Sequence, residues 1–188
     1  MKLSTVAAAV VLTGLLMVTI PGVHADELMQ YGGFEKAGPD SIPQGWKINV
    51  DRDIKNEIGL DEAMPHSGKY SYKIRIAPPG GRVIITAGEN AIGKPKPGET
   101  YTLSLWINAQ NLDYNQFFVA PAVRLNFLPT RLRPVPAIDL MSFMQGVNGW
   151  KELTMQVQAP ADAQEITFDI VLTKGTVWID DISLKSGK

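Results

Sequence analysis

From Asp26 onward the chain is cut into short runs rich in Val, Ile, Thr and aromatic residues. Clusters such as Pro78-Pro79-Gly80-Gly81 and Gly93-Lys94-Pro95-Lys96-Pro97-Gly98 separate them. No run carries the period of an amphipathic helix, and β-branched and aromatic residues bounded by turn formers are what strands require. Strands are predicted over 27–35, 45–51, 56–63, 69–77, 82–92, 100–110, 117–127, 150–158, 165–173 and 176–185. Short strands at such even spacing predict an all-β fold, an antiparallel two-sheet β-sandwich. The stretch 128–149, with Pro129, Pro134 and Pro136, fits no element and is the longest candidate loop, a common place for function on a β scaffold.

Side chains on a strand alternate between faces, so the pattern assigns a face to each residue, though neither strand order nor register. Tyr101, Leu103, Leu105 and Ile107 share an apolar side, which leaves Thr102, Ser104, Trp106 and Asn108 opposite. Phe117, Val119, Val123, Leu125 and Phe127 oppose Arg124 and Asn126, and Ile166, Phe168, Ile170 and Leu172 oppose Thr167 and Asp169. Three strands thus offer a non-core face bearing Trp106, Asn108, Arg124, Asn126 and Asp169. An aromatic ring among hydrogen-bonding groups suits a sugar, whose C–H face packs on the ring while polar groups read its hydroxyls. Tyr114, with Phe118, is a second candidate for a binding rim. The plainer reading is a solvated sheet face whose Trp106 lies under a loop such as 128–149. An open cleft around Trp106 favours glycan binding, and a covered one favours a structural or interaction role.

The first residues, Met1-Lys2, an apolar run from Val6 to Ile20 and the tripeptide Val23-His24-Ala25, have the layout of a secretory signal. Cleavage is expected after Ala25, leaving residues 26–188 as a single domain that is secreted or periplasmic. A retained anchor would take roughly 18 or more apolar residues. A formal charge of −1 gives no footprint for nucleic acid or an anionic membrane. The absence of cysteine excludes disulfides and thiol chemistry. Outside the signal the single histidine is His66, expected to be a loop residue, and this removes Ser-His-Asp triads and histidine metal clusters.

Six blocks stand in order: Tyr31-Gly32-Gly33-Phe34-Glu35; Pro43-Gln44-Gly45-Trp46; His66-Ser67-Gly68-Lys69-Tyr70-Ser71-Tyr72; Pro97-Gly98-Glu99-Thr100-Tyr101 running on to Trp106; Trp150-Lys151-Glu152-Leu153; and Val177-Trp178-Ile179-Asp180-Asp181-Ile182-Ser183-Leu184. Together they resemble the CenC-like carbohydrate-binding modules, with Tyr31 where that family usually has Asn. The resemblance implies a galactose-binding-domain-like jelly roll, a structural calcium ion and a glycan site. It places the calcium ligands at the Gly33 carbonyl, the Glu35 carboxylate, Asp180 and a backbone carbonyl near Lys69. Calcium takes six to eight oxygens and mixes carboxylates with carbonyls. Trp178, Asp180, Ile182 and Leu184 alternate onto one side, so Asp180 is expected to point inward, where an unpaired charge is costly. The alternative is that Glu35 and Asp180 are surface carboxylates, or that Asp180 caps amides or pairs with Lys. Trp46, Trp150 and Trp178 are expected in the core.

The functional expectation is a monomeric, non-catalytic module that binds a polysaccharide or cell-surface glycan. The alternatives are a structural or protein-interaction domain of the envelope, or a small polysaccharide-degrading enzyme. Glycoside hydrolysis needs two facing carboxylates roughly 5 to 10 Å apart, and no such pair stands out. A lyase base could come only from His66 or Tyr114, beside Arg131 and Arg133.

Overall fold

The computed structural model describes residues 25–39, 42–51, 53–88, 90–113 and 120–187. The predicted signal, apart from Ala25, and residues 114–119 with Tyr114 and Phe118 lie outside them. In chain order the elements are β1 (Trp46–Val50), β2 (Asn56–Asp61), β3 (Ser71–Ile76), β4 (Val83–Ala87), β5 (Thr100–Gln110), β6 (Ala122–Leu128), β7 (Ala137–Asp139), α1 (Leu140–Phe143), β8 (Lys151–Gln158), β9 (Glu165–Leu172) and β10 (Gly175–Gly187). They form two five-stranded sheets, ordered β2-β3-β10-β5-β8 and β1-β4-β9-β6-β7. Every pairing is antiparallel, so the chain is the two-sheet β-sandwich its punctuation predicts.

Apolar faces close on one another because each sheet has one side unable to face water. Tyr72, Ile74, Leu103, Leu105, Ile107, Leu153, Ile179 and Leu184 of the first sheet are buried against Val83, Ile85, Val123, Leu125, Phe127, Phe168 and Ile170 of the second. Phe34 bridges the layers, with ring centroids 5.3 Å from Trp46 and 5.4 Å from Tyr72, and Trp46 meets Phe168 edge-on at 5.8 Å. The indole N–H of Trp46 donates to the Tyr31 carbonyl at 3.0 Å, which satisfies its polar atom as burial demands.

Three predicted elements change. The run 27–35 makes isolated bridges, Glu27 with Lys185 and Met29 with Ile92, rather than a strand. The Glu27 carboxylate accepts from the amides of Met29 and Leu184, which occupies donors a ladder would use. The unassigned stretch 128–149 holds β7 and one turn of helix, whose cap Asp139 accepts from the amides of Met141 and Ser142 at 2.8 and 3.0 Å. A three-residue strand and a four-residue helix are too short to leave a period.

The third change is in β10. Its pairing with β5 runs to Asp180↔Trp106, then resumes at Ser183↔Ser104 after a β-bulge at Asp181, whose φ is +48°. One extra residue reverses the alternation. Ile179, Ile182 and Leu184 therefore face the core, while Trp178 and Asp180 lie on the outer face with their partners Asn108 and Trp106. The expectation that Asp180 shares a side with Ile182 and Leu184 is thus overturned.

Candidate functional site

The five residues assigned to a single polar face occupy two. Trp106 and Asn108 stand on the outer side of the first sheet, on β5. Arg124 and Asn126 on β6, with Asp169 on β9, stand on the outer side of the second. The whole sandwich lies between them. Alternation says only that a side chain leaves the core, and a sandwich has two sides to leave by.

On the first sheet the loop 62–70 folds over the outer face and covers Trp106. His66 stacks on that indole with ring centroids 4.0 Å apart and 15° between planes, and it meets Trp150 edge-on at 5.4 Å. The cover is therefore this loop, not 128–149. Trp150 is half-buried at its border, and Trp178 is buried outside the core, its indole N–H donating to Asp61 at 2.7 Å. Asn108, beside Trp178, is 4% exposed.

Carboxylates clasp this loop from below. Asp180 Oδ2 accepts from the amides of His66 at 2.9 Å and Ser67 at 3.1 Å, and Oδ1 accepts from its neighbour Asp181 at 2.8 Å. Asp181 takes the Ser67 hydroxyl at 2.7 Å and lies 2.6 Å from His66 Nδ1. Glu35 accepts the Lys69 amide at 3.0 and 3.2 Å and the Tyr70 amide at 3.3 Å. Gly68 is required there, because a Cβ would fall 2.2 Å from Glu35 Oε1 and its φ is +58°. Ser71 closes the turn by donating to the Met64 carbonyl at 2.8 Å.

Burial pushes the Asp180 carboxyl above its ordinary range; the amides of Ser67, Asp181 and His66 pull the other way without cancelling it, and the charge of Asp181 adds to the rise. For Asp61, burial acts upward but is outweighed by the Trp178 indole, the Ala63 amide and Lys73, and the carboxyl is held below its ordinary range.

These contacts decide the fit of a cation. Calcium needs converging oxygens, whereas all four carboxylate oxygens of Glu35 and Asp180 face N–H donors, and Lys69 presents its amide to Glu35. Among the described residues no group of three or more His, Asp or Glu side chains is placed to hold a metal ion. Gly33 lies near the second aspartate, its would-be Cβ 4.0 Å from Asp181 Oδ1. The assigned set, Gly33, Glu35, Lys69 and Asp180, does not converge on a cation here: Glu35 and Asp180 turn their oxygens to loop amides, and Lys69 gives Glu35 its N–H.

The second sheet's outer face differs. A polar row runs straight across it, Lys47↔Thr86↔Asp169↔Arg124↔Ala137, one residue from each strand. At its centre Arg124 Nε donates to Asp169 Oδ1 at 2.5 Å, with the two side chains 32% and 29% exposed. Lys47 and Asn49 are exposed on β1. A guanidinium with five donors beside a carboxylate with several acceptor sites presents both halves of what vicinal hydroxyls bind. Asn126 does not take part. It is 3% exposed, and its Oδ1 accepts from Phe127 and Leu132, at 2.9 and 2.7 Å, to hold the turn after β6. Arg131 and Arg133 of that turn are exposed.

No protein-family model matches the sequence, and no curated protein does. Solved structures do match in shape. The enzymatically active domain of tailspike protein 4 of bacteriophage CBA120 aligns over 80% of this chain at a TM-score of 0.59 and 13% identity, although the chain spans only 20% of that protein. The Stig cyclase Fisc of Fischerella sp. TAU aligns over 87% of this chain and 98% of its own at 0.58 and 16% identity. The CBM22-1 xylan-binding domain of Paenibacillus barcinonensis Xyn10C aligns over 87% and 96% at 0.51 and 13% identity. The fold is the jelly roll of carbohydrate-binding modules. The same fold serves proteins of different activity, so function has to be argued from the faces just described.

Sequence reasoning missed His66 and Asp181 as the clasp of the loop. The one signal was the Asp180-Asp181 doublet inside an otherwise apolar strand, where two successive acids cannot both follow the alternation.

Proposed function

We propose that this chain is a non-catalytic carbohydrate-binding module that holds a polysaccharide across the outer face of the second sheet. The observation that carries it is the polar row with the half-open Arg124–Asp169 pair at its centre. A binding reading suits this face better than a hydrolytic one, because Asp169 is the only carboxylate in the row and hydrolysis takes two. Membership of the CenC-like branch, export through residues 1–25 and a monomeric state belong to this proposal. Among the described residues no helix is long and apolar enough to cross a membrane. Protein contacts alone hold the loop 62–70 in this reading, without calcium.

Electrophoresis through gels containing neutral and acidic polysaccharides tests it, run with calcium and with a chelator. Retardation by a polymer, equal under both conditions and lost in Arg124→Ala, is the expected result. No retardation of the folded protein by any polymer would move the search to protein partners. Retardation only with calcium would restore the ion.

A further inference from the structure

A second candidate contact lies on the first sheet, beside the clasped loop and on the opposite side of the sandwich from the Arg124 face. A groove of about 560 Å³ follows β2, the edge strand, and is lined by Glu35, Glu57, Gly59, Asp61, Tyr70 and Lys73 among others. Its size is in the range of ligand sites.

Gly59 is the telling residue. A glycine inside a strand weakens it, and normally marks a bulge, a strained φ or the close approach of another group. None of these is found among the described residues. The register of β2 on β3 runs unbroken from Asn56↔Ile76 to Asp61↔Ser71, Gly59 does not have a left-handed φ, and a Cβ there would meet nothing within 4 Å. The missing side chain instead deepens the groove between Glu57 and Asp61, which share its outer face, and beside Lys73, its partner across the ladder.

We propose that this groove is a second saccharide subsite, taking a short stretch of a neutral glycan; the inference extends the carbohydrate reading above. The lining supports that class. Glu57 is bound to Lys73 at 2.6 Å and approaches Arg75 at 3.6 Å, and Asp61 accepts from Trp178 and the Ala63 amide. Each carboxylate has acceptor sites left for hydroxyls. Lys69 Nζ sits 4.7 Å from the centre of the Tyr70 ring, fixing an aromatic wall at the end of the groove. The three acids Glu35, Glu57 and Asp61 are met by Lys73 and, at the rim, Arg75 and Lys69, which leaves no excess of positive charge to select a uronic acid. Addition of a peptide strand is the weaker candidate, because it uses the edge backbone of β2 and has no need of a missing side chain on the sheet face.

The test is a two-dimensional amide NMR titration of the protein with cellohexaose, xylohexaose and a galacturonate oligomer. With a neutral hexasaccharide the Gly59, Tyr70 and Lys73 amides shift and saturate. In Gly59→Leu, which fills the groove, the dissociation constant read at Tyr70 rises by about tenfold or more, and Tyr70→Ala acts likewise, while shifts around Arg124 persist. Unchanged spectra away from the groove show that each variant is folded. Silence of the groove amides toward both neutral sugars while the Arg124 face responds overturns this subsite alone; silence of both faces overturns the carbohydrate reading with it. A stronger response to the galacturonate, or unchanged affinity in the folded Gly59→Leu protein, also overturns it.

Discussion

The two outer faces of the sandwich start from the same strand chemistry and end differently. On the first sheet, Trp106, Trp178 and Asp180 leave the core, but Trp106 and Asp180 are then covered by residues 62–70 and Trp178 is tied to Asp61, so the side chains best suited to a ligand become packing. On the second, the comparable row stays partly open around Arg124 and Asp169. The difference lies in the acids. Asp180, Asp181 and Glu35 offer acceptors that draw down a loop rich in free amides, and such amides are costly to leave unpaired. At the centre of the second face Arg124 and Asp169 are paired with each other instead of with the amides of a loop.

This contrast gives the covered patch around Trp106 a structural role and leaves the Arg124 row open to the proposed ligand, and variants can break it. The largest expected effect is Asp180→Ala, which orphans the amides of His66, Ser67 and Asp181 and costs about 2–4 kcal/mol in urea denaturation. A loss well under 1 kcal/mol would mean the loop does not depend on its clasp. Trp106→Ala comes next, losing about 2–3 kcal/mol through the cavity left under His66, while gel retardation by a glycan persists.

Acidification sharpens the comparison further. Because burial raises the folded-state Asp180 carboxyl above its unfolded value, the folded protein binds the proton more readily. That contribution is fully present below the unfolded value and is lost as pH rises through the folded one. Asp180→Asn removes it, so stability measured from neutral pH down through the carboxylate range falls more steeply in the variant than in the wild type. Parallel profiles would show that the carboxylate is not desolvated. The smallest effect belongs to the core shared by both faces. The Tyr72 hydroxyl is buried with no hydrogen-bond partner among the described residues, so Tyr72→Phe leaves stability unchanged or raises it by up to about 1 kcal/mol in the same denaturation assay.

Much of the fold was legible before any coordinates. Nine of the ten predicted runs overlap a strand, since half-buried strands write their alternation into the sequence. Trp46 also takes the core position expected of it. The site was far less legible. Alternation placed Trp106 and Arg124 outside the core but not on which side, because sheet membership depends on pairing between distant strands. The bulge at Asp181 inverted the expected direction of Asp180, and the residue type announced it only weakly: aspartate is among the non-glycine residues enriched at a φ such as +48°, but it is common elsewhere too. The residues named as calcium ligands by resemblance lie near the loop 62–70, whose amides Glu35 and Asp180 accept. Of the sugar-binding candidates, Arg124 and Asp169 remain in position to touch a ligand, and Tyr114 lies outside the described residues.

The most direct test compares Arg124→Ala with Trp106→Ala on whichever polysaccharide most retards the wild-type protein. Arg124→Ala, a change at a half-exposed pair expected to cost about 1 kcal/mol in stability, loses most of the retardation, and Trp106→Ala keeps it. Retardation that survives Arg124→Ala and disappears in a folded Trp106→Ala protein would put the ligand on the covered face and contradict the account.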